Sequence, residues 1–287
     1  MKSSNPVFTR RRLVRSTEPQ MDTRRELVGV SSTAAMGDRL DGSYSTNGSL
    51  SLLKDPLPVS AAMTIDDVVV RTALALGTAI LTAALSWVLL PVDKANIGGS
   101  YGLAAGAAVV AFVLSMVQAF RRRPSPALIL GYAAFEGVFL GVISEATSTY
   151  LAPGVIVQSV LGTFAVFAGV LISYRMGWIR VTRRFVGFVL AAATGFLLLA
   201  AADLVLSALG VGGRLGLDGG GLGIVFGIAG IVLGACFLAL DFKHVEDAIA
   251  YGAPREESWM AAFGLTTTLI WIYLEVLRVL SLFRDDV

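Results

Sequence analysis

Histidine and cysteine are almost missing: the 287 residues hold one of each, His244 and Cys236. That scarcity removes whole classes of chemistry. A metal-dependent hydrolase needs several His, Cys or carboxylate ligands at fixed spacing, and the chain has neither an HExxH run nor a CxxC pair. A serine nucleophile needs a base from a neighbouring element, and the one imidazole follows Asp241 at the end of an apolar run, where water already reaches. The Gly-x-Gly-Asp setting of an intramembrane aspartyl protease does not occur. Enzymatic activity is therefore not expected, nor is a cofactor. A lone cysteine in the middle of an apolar run permits no intramolecular disulfide and leaves the redox compartment unread.

Charge is scarce as well. Only 15% of the residues are charged against 55% hydrophobic, a balance that a water-soluble domain with a polar surface does not reach. The net charge of +2 comes from basic loops, with no basic face interleaved with aromatics, so no nucleic-acid partner is expected. Residues 1–63 are poor in something different: large apolar side chains. Rich in Ser, Thr, Arg and Gly, they are predicted to form a disordered basic tail lying near anionic lipid or binding a protein partner. The tail has no apolar core of a signal peptide, and no apolar stretch follows Arg10–Arg12 as a twin-arginine signal requires.

What the chain does have is seven apolar runs, at roughly 68–90, 101–120, 127–148, 154–174, 185–209, 222–241 and 258–283. Each approaches the ~20 residues that cross hydrocarbon as a helix. The predicted fold is all-α: a polytopic membrane protein whose residues 64–287 form a seven-transmembrane-helix bundle in a lipid bilayer. Lys and Arg set its orientation, because segments near span ends on the cytoplasmic side are enriched in them. With the N-terminus inside, eighteen lie inside and three outside, which predicts N-in and C-out. Glycines four apart let such helices approach closely, and Gly102/Gly106, Gly137/Gly141, Gly223/Gly227 and Gly230/Gly234 predict a tight bundle.

Five carboxylates interrupt or end these runs: Glu136, Glu145, Asp203, Asp241 and Glu275. An acid at a helix centre is unfavourable by about 2.5–3.5 kcal/mol and usually faces the bundle interior or a watery cavity. Glu136 falls nearest the midplane, either as a hydrogen-bonded structural acid or as a proton or cation site. Glu145, nine residues on, turns to the opposite helix face near the outer surface, and Asp203 lies close to an external helix end, so interfacial solvation is expected for both. Glu275 and Arg278, three apart, form either a structural ion pair or an outer cation-attracting mouth. Asp241 is either the first polar residue of a helix leaving the membrane or, with His244 on the same face, a group that titrates near neutral pH.

The ordered set of seven spans, Arg121-Arg122-Arg123, Tyr132–Gly141 (YAAFEGVFLG), the Leu-Ala-Leu-Asp241 ending and Tyr273-Leu274-Glu275-Val276-Leu277-Arg278 resembles the Bax inhibitor family, the transmembrane Bax inhibitor motif proteins. Ser3–Phe8 (SSNPVF) looks like a bacterial subgroup of it. The resemblance covers residues 64–287. It implies a seven-helix fold with the last helix central and a pH-sensitive, proton-linked passive Ca²⁺ leak in the inner membrane. In such proteins an aspartate ending helix six shares a proton with a second aspartate in helix seven. Asp241 matches the first. Thr268 stands where the second is expected, so the resemblance implies an Asp241–Thr268 hydrogen bond in place of a carboxylate pair. Glu275 lies two turns further along the same face, about 10 Å away.

The resulting expectation is a cation leak with Asp241 and Glu136 as cation ligands, Glu275, Thr268 and His244 along the path or in pH sensing, and Ca²⁺ and H⁺ as the partners in transit. A non-conducting regulator that binds a membrane protease or other membrane protein is the alternative. A proton-coupled secondary transporter is disfavoured by an odd number of spans and by halves that share no motif.

Overall fold

The computed structural model describes residues 62–90, 97–121, 123–151, 154–209 and 220–285. The tail predicted over 1–63 lies almost wholly outside the described residues. Seven helices carry the described chain: α1 (Ile65–Leu89), α2 (Ile97–Phe120), α3 (Pro126–Ala146), α4 (Val155–Arg175), α5 (Arg183–Ala208), α6 (Gly220–Ala250) and α7 (Ser258–Asp285). All seven are long and apolar enough to cross a membrane. The described residues contain no strand, only an isolated bridge between Ala62 and Pro254.

The helix starts follow local chemistry. Thr64 caps α1 by accepting from the Asp67 N–H, and Asp67 answers through the Thr64 N–H, a reciprocal capping box. Thr182 caps α5 through the Phe185 N–H, and Pro126 occupies the first turn of α3, where its missing N–H does no harm. At its far end α3 loosens into a π-helical turn, Thr147–Leu151. The apolar run ends at Asp241 but the helix does not: as expected of a helix whose first polar residue is Asp241, α6 continues to Ala250. It stops at Gly252, whose φ of 68° suits a residue without Cβ.

Alternation along seven antiparallel crossings puts the α2–α3, α4–α5 and α6–α7 turns on the face where α1 begins. Two contacts secure that face: the Met63 N–H donates to the Ala253 carbonyl at 2.9 Å, and Arg255 Nε donates to Asp67 at 2.7 Å. Within the bundle α1 lies along α3, α3 also packs on α2, and α6 pairs with α7. α7 further touches α1, α3 and α4, while α5 rests chiefly on α6. The interior is small and aliphatic where α6, α7 and α4 meet, with Leu238, Ala239, Ile272, Val276 and Val170 all buried.

Large apolar side chains face outward along α1, α2, α4 and α5, among them Phe112, Phe164, Phe188 and Leu198. In water such a surface would be a liability. Against hydrocarbon it is the expected exterior, and the protein is a multi-pass membrane protein.

The glycine expectation holds on two helices and fails on one. A Cβ on Gly141 would meet the Ala83 carbonyl and Ser86 of α1, and one on Gly234 would lie 2.6 Å from Ile272 of α7. On α2 the prediction does not hold: nothing lies within 4 Å of such an atom on Gly102 or Gly106. Spacing permits close approach but supplies no neighbour, and α2 turns its glycines away from α3.

Candidate functional site

The antiparallel seam of α6 and α7 holds two of the acids. At one end Thr268 Oγ1 donates to Asp241 Oδ2 at 2.6 Å, across the two helices. Gly264 makes room for this contact, since a Cβ there would lie 3.1 Å from Asp241 Oδ1. A hydroxyl-to-carboxylate bond of that length is a strong one, and it ties α6 to α7 with a single ionisable partner. His244, expected to share the site, is exposed one turn beyond it. The polar residues of that extension pair locally: Lys243 donates to Asp247 at 2.6 Å, and the Tyr174 hydroxyl of α4 donates to Glu246.

Toward the other end of the seam Glu275 packs against the bare backbone of α6, so closely that a Cβ on Gly230 would lie 2.7 Å from its Cδ. Arg278 Nη1 stands 3.5 Å from Glu275 Oε2, and its guanidinium lies 5.0 Å from the centroid of the Phe226 ring. The pair is largely removed from solvent, with the Glu275 side chain 12% exposed, yet Oε2 accepts no hydrogen bond. Trp271 Nε1 donates to the Gly230 carbonyl at 3.2 Å, fixing the indole across the seam between the two acids.

Glu136 belongs to neither helix of the seam. It is half-buried on α3, beside the buried Tyr132, whose ring packs edge-on against Phe263 of α7 at 5.2 Å. Tyr132 also approaches Thr267. Adjacent threonines on one helix thus look to different neighbours: Thr268 to the acid of α6, Thr267 toward the tyrosine of α3. Among the described residues no three His, Cys, Asp or Glu side chains gather closely enough to hold a metal ion.

Two expectations of solvation need correction. Glu145 and Asp203, expected at solvated interfaces, are buried, with relative exposures of 9% and 5%. Position along one helix fixes distance from its end but not what neighbouring helices cover. Near Glu145 the seam with α3 is polar, because Ser144 Oγ and the Tyr273 hydroxyl lie 2.8 Å apart.

Sequence reasoning missed a further group. Arg71, one of two basic residues within the apolar runs, donates to the Arg255 carbonyl and to Ser258 Oγ. Its guanidinium also lies over the Trp259 ring, 5.3 Å from the centroid. With the Asp67–Arg255 pair, this locks the start of α1 to the α6–α7 turn. The signal was present: a basic side chain inside a span must find partners, and an acid three residues after a capping threonine is a helix-start signature.

A family model described as Bax inhibitor 1 like matches residues 5–285. The chain belongs to that family. No curated protein matches it. The Bax inhibitor match begins at residue 5, far ahead of the residues 64–287 that carry the resemblance, so the family's profile takes in the basic tail as well as the helices.

Proposed function

We propose that this Bax inhibitor family protein is a passive cation leak, carrying Ca²⁺ as cargo and responding to protons, with the N-terminal tail in the cytoplasm. The observation that carries this reading is the Asp241–Thr268 bond at 2.6 Å. One carboxylate, held by a neutral hydroxyl between two membrane-spanning helices, forms no salt bridge with Lys or Arg among the described residues. In that setting a carboxylate attracts and partly dehydrates a cation, and its protonation removes the attraction. Glu136 supplies a second acid on α3, and Glu275, answered by Arg278, holds the distant end of the seam.

The sign of the response follows. Leak needs the ionised acid, so flux falls as pH falls through its titration. Asp241→Asn keeps the shape and an acceptor for Thr268 but cannot ionise. In proteoliposomes loaded with a Ca²⁺ indicator, this variant should lose the pH dependence and stay at the low-pH level of the wild type. Flux unchanged from wild type at every pH would remove Asp241 from the mechanism.

A non-conducting regulator is the second reading, favoured by α5, which rests chiefly on α6 and leaves most of its apolar surface outward. A flux abolished by Glu136→Gln supports the leak. Absence of flux at any pH or potential supports the regulator.

A further inference from the structure

The chain enters α1 by crossing the turn between α6 and α7. Ahead of the helix it runs extended against that turn: Ala62 bridges Pro254 in antiparallel sense, and the Met63 N–H donates to the Ala253 carbonyl at 2.9 Å. Ala62 and Thr64 are exposed, yet Met63 between them is only 3% exposed. Side chains alternate along extended backbone, so this short segment sends one residue inward, and that residue is the large apolar one.

What Met63 joins is the apolar core beneath the Asp241–Thr268 bond. Val245 lies one turn past Asp241 on α6, and Leu265 and Ala261 lie one and two turns ahead of Thr268 on α7, so all three share the helix faces that carry the bond. All are buried, and Met63 belongs to the same cluster together with Val68 from the first turn of α1. Between the bond and the face where α1 begins, the seam is therefore filled by apolar side chains. A hydrophobic constriction of this kind stops ions by excluding water.

Three ties hold Met63 in place. One is its own N–H bond to Ala253. The second is the ion pair of Asp67 with Arg255, whose side chain is 58% exposed. The third is Arg71, which donates to the Arg255 carbonyl and to Ser258 Oγ and lies over the Trp259 ring. The side-chain ties sit at the protein's edge, where a single ion pair contributes little. Such contacts can open locally without unfolding a helix.

We propose that residues 62–67 form a strap that plugs the seam: Met63 seals the apolar constriction beneath Asp241 and Thr268, and release of its ties to the α6–α7 turn opens that constriction to a cation. The strap rests on the leak reading of Asp241 and gives the leak a gate distinct from the titrating acid.

Two measurements on the full-length protein keep the strap and the leak apart. In a Cys236→Ala background, Thr268→Cys places a thiol behind the constriction, and its rate of reaction with a cationic methanethiosulfonate is read in detergent, where no flux is needed. Met63→Ala removes most of the buried side chain and should raise that rate by about tenfold. Met63→Leu keeps the volume and should leave it near the parent rate. Arg255→Gln breaks the ion pair but spares the Thr64–Asp67 capping box, and should raise the rate by about threefold; it serves if Met63→Ala does not fold. With Thr268 and Cys236 restored, Met63→Ala and Arg255→Gln should raise Ca²⁺ flux in proteoliposomes severalfold.

Faster labelling in Met63→Ala and Arg255→Gln, with Met63→Leu at the parent rate, supports the strap even where no variant carries Ca²⁺, a result that would sink the leak alone. Labelling unchanged in both variants overturns the strap whatever the flux. A lowered thermal midpoint in Met63→Ala without faster labelling also overturns it, leaving Met63 a packing residue.

Discussion

The two ends of the α6–α7 seam pose the same problem and solve it differently. Each puts a carboxylate from one helix against the backbone of the other, with a glycine making room: Gly264 for Asp241, Gly230 for Glu275. Asp241 receives a hydroxyl hydrogen bond from Thr268. Glu275 receives a guanidinium at 3.5 Å, backed by an aromatic ring. A neutral partner leaves the acid free to gain or lose its proton, whereas a cationic partner binds it to one state. The difference teaches that an embedded acid is assigned a role by its partner across the seam more than by its depth.

Breaking the ion pair should have the largest effect. Arg278→Met leaves Glu275 enclosed without its cation. We expect a loss of about 2 kcal/mol in stability, less than the roughly 3–5 of a fully buried pair because Arg278 keeps some contact with solvent. The double variant Glu275→Met/Arg278→Met, which removes both charges, should recover most of that loss. Thermal melting in detergent reads both, and a double variant as weak as the single one would show that the Glu275 end of the seam depends on packing, not charge.

This distinction was only partly legible in the sequence. Seven spans could be read because apolar length reports directly on what crosses hydrocarbon, and the observed helices start and end close to the predicted runs except α6, which continues past Asp241 to Ala250. The Asp241–Thr268 contact was reached through the family resemblance, and Glu275–Arg278 through helical spacing. What remained hidden depends on neighbours. Glu145 and Asp203 are buried because other chain segments cover them, and the lock of Arg71 onto the α6–α7 turn joins residues 187 positions apart. Residues so distant in the chain meet only through the bundle's topology.

At the other end of the seam a smaller change is expected. Thr268→Val removes one hydrogen bond between membrane helices and should lower stability by about 1 kcal/mol, within the range measured for such bonds. Its main effect should be functional, because Asp241 keeps its charge but loses the contact that holds it to α7. Thr268→Asp sharpens the comparison further. Two carboxylates at one site cannot both ionise easily, so one is protonated at higher pH than either alone. The fall in Ca²⁺ flux on acidification should then begin at higher pH than in the wild type. An unmoved profile in both variants would mean that Asp241 does not report protonation through α7.

The smallest effect should come from glycines that the seam does not use. Gly234→Ala puts a Cβ where Ile272 already stands, 2.6 Å away, so α6 and α7 must separate or the isoleucine must shift. Gly102→Ala on α2 has the same spacing motif and nothing within 4 Å to strike. Alanine also favours helix over glycine by up to about 1 kcal/mol in an exposed helix interior. Gly102→Ala should therefore be neutral or slightly stabilising, while Gly234→Ala destabilises. Melting of the two variants side by side tests whether contact, not spacing, makes a glycine structural. If Gly102→Ala proves as harmful as Gly234→Ala, the open face of α2 is covered in the membrane, and the glycine pair marks an interface instead of a lipid-facing surface.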